Sequence, residues 1–178
     1  MQELRQASVA IPFYRGEKGE LRLVLIKKSE HGQFGSQISL PGGNRESNDE
    51  GPWATALRET TEELGLDTEH IIFLDQLDRI NTYTTHYQVS PFVVQLKGIT
   101  PGYAWKPQTA EVEKVLDISV TALASDTALR EEELDFPGWN TPRKVRVRRT
   151  HDHTIWGLTL RILEPVLPQV LAGKWPIT

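Results

Sequence analysis

The 178 residues carry 20 basic and 24 acidic side chains, a net charge of −4, with 38% hydrophobic positions, 25% charged positions and no cysteine. That is the composition of a globular chain able to bury its own core as one domain over residues 1–178. It excludes disulfides, thiolate metal sites and cysteine nucleophiles, and it argues against both a nucleic-acid-binding surface and a membrane span. The N-terminus "MQELRQASVAIPF" lacks the basic-then-apolar order of a secretory signal. The expected compartment is the cytoplasm.

In chain order, "ASVAIPFYR" and "LRLVLIKK" are apolar, β-branched runs around "GEKGE" and predict a hairpin. "QISL" is a short strand ending at Pro41-Gly42-Gly43, a turn or loop signal. "GPWATALRETTEELG" predicts a helix, with Pro52 in its first turn and Gly65 at its end. "HIIFLDQL" and "YQVSPFVVQL" predict strands, and Pro91 puts the second at an edge or a bulge. "GITPGYAWKPQTAE" is a loop, and "VEKVLDI" a strand entering a short helix near "SVTALAS". "REEELDFPGW" reads as a loop, "KVRVRRT" as a half-exposed strand whose charges protect an edge, and "HDH" as a turn into "TIWG". "WGLTLRILEPVLPQVL" closes the chain as a helix that Pro165 and Pro168 should kink or split. Strands around helices predict a mixed α/β domain with a sheet covered on two sides.

The helix at "RETTEELG" carries the chemistry. At 100° per residue, Glu63 lies about 40° to one side of Glu59 and Glu62 about 60° to the other, with Leu57 and Leu64 far round the helix. Three carboxylates then share one turn, and Arg58, four residues before Glu62, cannot neutralise all of them. A hard divalent ion such as Mg²⁺ would resolve the repulsion, because it takes carboxylate oxygens and keeps several waters. The alternative is a solvated, charge-rich face. The glycine loop just upstream favours the ion, since glycines let backbone groups approach a metal or phosphate.

Gly43 to Leu66, "GNRESNDEGPWATALRETTEELGL", resembles the Nudix box, Gly-x5-Glu-x7-Arg-Glu-U-x-Glu-Glu-x-Gly-U with U aliphatic. Arg58, Glu59, Glu62, Glu63, Gly65 and Leu66 match in register, and Glu50 takes the place of the first glutamate. Asn44 stands where the first glycine belongs, one residue after Gly43, and Thr60 replaces the aliphatic position. The resemblance implies a Nudix-type α/β/α sandwich with a mixed β-sheet. It also implies Mg²⁺-dependent hydrolysis of a nucleoside diphosphate linked to another group, with Mn²⁺ as the alternative ion. Metal ligands would be Glu59, Glu62, Glu63 and the Gly43 carbonyl, with Arg58 orienting the carboxylates. The general base would be Glu63 or, on a later loop, Glu111. A pyrophosphate needs this kind of help, because it is anionic and resists attack by water.

"PGGNRESNDE…ATALRETTEELGL", "HYQVSPFVV", "EVEKVLDI" and "IWGLTLRIL" together resemble the coenzyme A pyrophosphatase branch. The branch's upstream signature is incomplete here. In "VLIKKSEHGQFGSQISLPGG", Lys28 can stand for its first arginine, the second is absent, and Leu40 replaces a phenylalanine. Nucleoside-diphosphate sugars and ADP-ribose are therefore the alternative substrates, with Gly42, Gly43, Lys28, His86 and Tyr87 as candidate substrate contacts. A non-catalytic nucleotide-sensing domain and an RNA 5′-end pyrophosphohydrolase are the readings of other classes. The intact glutamate set disfavours the first and the acidic balance the second. A small-molecule nucleotide is the expected partner, and a homodimer is an allowed assembly. His151 and His153 around Asp152 read as a solvated turn, and Trp105, Trp139 and Trp156 as packing groups rather than base-stacking platforms.

Overall fold

A computed structural model describes residues 4–30, 36–82, 85–135, 139–151 and 153–178. The expected hairpin is present: β1 (Arg5–Arg15) and β2 (Leu21–Lys28) pair antiparallel at Phe13↔Leu23. Toward its start β1 leaves β2 and pairs instead with β4 (Gly42–Asn44), at Ser8↔Gly43, while the far half of β2 takes β3 (Ile38–Ser39). The Pro-Gly-Gly segment is thus the head of a short strand rather than a free loop. Without side chains in the way, Gly42 can lie directly on β1, where a Cβ would overlap the Ser8 carbonyl.

The helix α1 (Pro52–Leu64) starts at its proline and ends at Gly65 in the left-handed conformation, φ 66°. After it come β5 (Ile71–Gln76), β6 (Ile80–Thr82) and β7 (Tyr87–Leu96). β7 is an interior strand rather than an edge, and the register shift beside it falls opposite Val93 and Val94 rather than at Pro91: it pairs parallel with β1 from Arg5↔Tyr87 to Phe13↔Gln95, and antiparallel with β5 and β6. Pro91 is tolerated because it falls where the outer neighbour changes. β6 ends its pairing at Val89 and β5 begins at Phe92, so the missing N–H falls in the gap. β8 (Val112–Ser119) then pairs with β2, and Ser119 caps α2 (Val120–Ala124) by accepting the Ala122 N–H.

The sheet is mixed, and strand alternation splits its core in two. Ala10, Tyr14, Val24, Ile26, Phe92 and Val94 face α1, joined by Ala56 and Leu64 from that helix. Ile11, Phe13, Leu23, Leu25 and Val93 face the other way, onto α3 (Gly157–Leu171) through Leu160, Ile162, Leu163, Val166, Leu167 and Val170. This is the expected α/β/α arrangement. The last helix runs through Pro165 and Pro168 unbroken. Both prolines lie on its exposed face, where the carbonyls they release meet water while the opposite face stays packed.

A second sheet has the order β11 (His153–Ile155), β10 (Arg143–Thr150), β9 (Leu129–Leu134). The expected loop at "REEEL" is therefore a strand, and the basic strand is central rather than an edge. The reason is cross-strand charge. Glu133 lies opposite Lys144 and Glu131 opposite Arg146, and Arg149 meets Glu132 at 3.1 Å. The Pro137-Gly138 part of that predicted loop, and Asp152 of the predicted turn, lie outside the described residues. None of the described helices is long and apolar enough to cross a membrane.

Loop 98–111 is fastened over the end of α1: Gln108 N–H donates to the Glu62 carbonyl at 2.8 Å, and the Lys106 carbonyl presses on Gly65. A Cβ at Gly65 would both strain φ and overlap that carbonyl, whereas Gly173, at φ 77°, has open space around it. Gly65→Ala is therefore expected to cost more than the ~1 kcal/mol of a left-handed alanine, and clearly more than Gly173→Ala. Equal losses in chemical denaturation would refute the close approach.

Candidate active site

The site forms at the fork where β1 and β2 part and β4 fills the gap. Glu63 is the deepest of the three glutamates. It is 1% exposed, and its Oε2 accepts the Gly42 N–H at 2.7 Å, which joins α1 to β4. Its Oε1 is buried and has no hydrogen-bond partner among the described residues, and Lys28 Nζ lies 3.5 Å from it. Burial pushes the Glu63 carboxyl up to about 7, against the opposing charge of Lys28 and the Gly42 hydrogen bond. The predicted shared outer face of three carboxylates therefore needs correcting. Glu63 turns inward to the sheet, beside Ala56, Thr60 and Leu64, and Glu59 and Glu62 stay partly exposed. Thr60 takes its place in that buried face by donating its hydroxyl to the Ala56 carbonyl at 2.6 Å.

Glu59 stands against Gly43, where any side chain would run into its carboxylate. Burial raises its pKa, while Arg58 pulls it down. Arg58 is the hub. Its Nη1 lies 3.0 Å from Glu59 and 3.7 Å from Glu62, and its Nη2 donates to the Asn44 carbonyl at 3.1 Å.

What holds Arg58 is a residue that the motif count passed over. Asp49 grips the guanidinium with both oxygens, at 3.1 Å to Nε and 3.1 Å to Nη2, and also accepts from the Thr55 hydroxyl and the Glu46 N–H, each at 2.9 Å. It is 8% exposed, and the Arg58 hydrogen bonds hold its carboxyl far below the usual carboxylate range. Glu50, which the spacing favoured, is exposed. The available signal was an acid beside a helix start with a threonine six positions on, the pattern of a local anchor.

The other candidates spread around this centre. Glu111 is exposed on the loop leading into β8, and its carbonyl accepts the Ser29 N–H at 2.8 Å, so it borders the Lys28 end of β2. His86, at φ 54°, and Tyr87 stand at the start of β7, where the Arg5 guanidinium lies 4.2 Å over the Tyr87 ring. Trp105 packs edge-on to Tyr103 in the α1-side core, and Trp139 meets Trp156 at 5.5 Å.

A hard divalent ion fits this donor set. The orphaned Glu63 Oε1, the neighbouring Glu59 and Glu62 carboxylates and the Gly43 backbone offer oxygens only, the chemistry Mg²⁺ prefers. The glutamates are not drawn together into one cage, because their charges are met by Arg58 and Lys28. Among the described residues, the three ligating side chains that do lie within 4.8 Å of one another are Asp67, Glu69 and His70, on the surface turn after α1. Surface acids commonly gather in this way without an ion.

The family model described as the NUDIX domain matches residues 4–139. Nudix hydrolase 22, chloroplastic, of Arabidopsis thaliana is 34% identical over 167 residues, covering 89% of this chain and 53% of the plant protein. The chain thus spans about half the length of the plant relatives it matches. An uncharacterized Nudix hydrolase, NudL, of Photorhabdus laumondii is 30% identical over 166 residues, covering 93% of this chain and 85% of that protein. In three dimensions, a MutT/nudix family protein from Enterococcus faecalis superposes with a TM-score of 0.61 at 15% identity, over 97% of this chain and 64% of that one. That likeness speaks to the fold.

Two outcomes follow from the geometry. Asp49→Asn should lower stability by about 2–3 kcal/mol, because a partly buried guanidinium loses its anchor, whereas Glu50→Gln should stay within about 0.5 kcal/mol. Urea titrations of the two variants compare them directly, and equal losses would contradict the assignment of Asp49. Glu63 titrates near 7 when folded, against 4.5 as its ordinary value, so the folded state holds the extra proton between those limits. The stability this contributes is complete below pH 4.5 and is lost as pH rises through 7, at up to about 1.4 kcal/mol per unit. With chelator present, the pH dependence of unfolding in wild type minus that in Glu63→Gln should show this slope.

Proposed function

The chain belongs to the Nudix hydrolase family, and from that premise we propose that it is a Mg²⁺-dependent pyrophosphohydrolase of a nucleoside diphosphate derivative, coenzyme A or a closely related nucleotide. The observation that carries the reading is the buried Glu63 oxygen with no hydrogen bond among the described residues, on the same helix turn as Glu59, which stands against Gly43. A structural role alone would leave such an atom costly.

Glu59, Glu62, Glu63 and the Gly43 carbonyl would hold the ion. When bound, the ion neutralises charge on the phosphates and acidifies a water. The rest is the work of the chain. Asp49 fixes Arg58, and Arg58 fixes Glu59 and Glu62 from the side, so the carboxylates are aimed before substrate arrives. Gly43 keeps a side chain away from the Glu59 carboxylate, so phosphate can approach the backbone there, while Gly42 lets that strand lie against β1. Glu63 has a proton affinity near neutrality, suited to taking a proton from the attacking water. Glu111, on the rim next to Lys28, is the alternative base. The choice of coenzyme A over nucleotide sugars or ADP-ribose rests on the order of the sequence segments outside the box, with Lys28 as the group left to meet an anionic substrate.

With Mg²⁺ present, coenzyme A should be split to phosphopantetheine and adenosine 3′,5′-bisphosphate faster than ADP-ribose, nucleotide sugars or dinucleoside polyphosphates. Chelator should abolish turnover, and Glu63→Gln should lower kcat by about 10²-fold or more. Faster cleavage of another member of the panel would redirect the substrate assignment. Turnover of none would sink the enzyme reading, whereas a Glu63→Gln rate equal to wild type would remove Glu63 as the base and leave Glu111.

A further inference from the structure

Glu63 has one oxygen committed and one not. Oε2 belongs to the Gly42 N–H, whereas Oε1 has no hydrogen bond among the described residues and faces Lys28 Nζ at 3.5 Å. The glutamate side chain is 2% exposed, so bulk water cannot take over from the ammonium. Lys28 reaches it from a fixed base. Its N–H donates to the Gln37 carbonyl at 2.9 Å, and it pairs with Val112 next to a register shift between Lys27 and Lys28. By strand alternation its side chain projects to the α1 face, with Val24 and Ile26. The other cation of the site, Arg58, is committed to Asp49, Glu59 and Glu62. Among the described residues, Lys28 alone forms an ion pair with Glu63.

We infer that Lys28 is a built-in competitor for the divalent ion: its ammonium and the metal contend for Glu63 Oε1, and metal entry displaces Lys28 into the cleft. This rests on the metal-dependent reading above. Two cations cannot share one buried oxygen at contact distance without strong repulsion, so each weakens the other's hold. The displaced ammonium, on its four-carbon stem, is then available to an anionic substrate. The same residue thus guards the empty carboxylate and serves the loaded site.

Mn²⁺ binding to the nucleotide-free protein tests this, by calorimetry and by the electron paramagnetic resonance of free Mn²⁺. Lys28→Met should bind Mn²⁺ about tenfold more tightly than wild type, and Lys28→Arg should stay close to wild type. Lys28→Gln serves as a second neutral variant should Lys28→Met fold poorly. With chelator, the neutral variants should melt below wild type, and saturating Mn²⁺ should raise their melting temperature by more than it raises that of wild type. If wild type binds Mn²⁺ and both neutral variants bind it equally or more weakly, the competitor role is overturned while the metal reading stands. If neither wild type nor any variant binds Mn²⁺, the metal reading falls and this inference falls with it.

Discussion

The contact on which the rest of the site depends is a single hydrogen bond, from the Gly42 N–H to a buried carboxylate of Glu63. It joins the helix that carries the glutamates to the strand that carries the glycines, 21 residues earlier. Burying an acid is costly, and the chain accepts that cost in order to fix the rotation of α1 over the sheet. Once that rotation is set, Glu59 must lie against Gly43 and Glu62 must stand outward. At the fork between β1 and β2, β4 lies on β1 and comes close enough to α1 to donate.

Around this bond the charges are arranged in two tiers. Asp49 and Arg58 form the outer tier, mostly structural: a bidentate pair that organises the loop before α1 and steadies two glutamates from the side. Lys28 and Glu63 form the inner tier, in which the carboxylate is buried and poorly satisfied on one oxygen among the described residues while the ammonium stays partly exposed. A tier complete in its hydrogen bonds gives rigidity. A tier short of one has somewhere to accept an incoming group, and it is the inner tier that reaches the cleft.

Much of this was legible in the sequence, for reasons that can be named. β1, β2 and α1 declare themselves because their side chains alone set the period and the ends, with Pro52 and Gly65 as punctuation. The three glutamates of the box declare themselves because their spacing is local. What escaped depended on partners far along the chain. Glu131 to Glu133 look like loop until Lys144, Arg146 and Arg149 are laid opposite them. Pro91 looks like an edge until β5 and β6 are seen to divide β7 between them. Pro165 and Pro168 look like breaks until the helix's opposite face is found packed against the sheet. Gly42 looks like a turn until β1 lies beside it. Asp49 escaped for a different reason: Glu50 satisfied the motif count, and counting cannot see which carboxylate turns inward.

The central pairing of β1 with β7 has a consequence for how the molecule comes into being. Arg5 meets Tyr87, Arg22 meets Asp117 across 95 positions, and the Arg15 side chain reaches the Ile177 carbonyl across 162. Long loops must close before such contacts repay their entropy. A nascent chain that has not yet delivered β7 has the box helix, its glutamates and the strands β1, β2 and β4 beside them, but lacks the strand that pairs with β1 from Arg5 to Phe13. Ribosome-bound or prematurely terminated fragments short of that strand would therefore carry the complete motif on a sheet left open along β1.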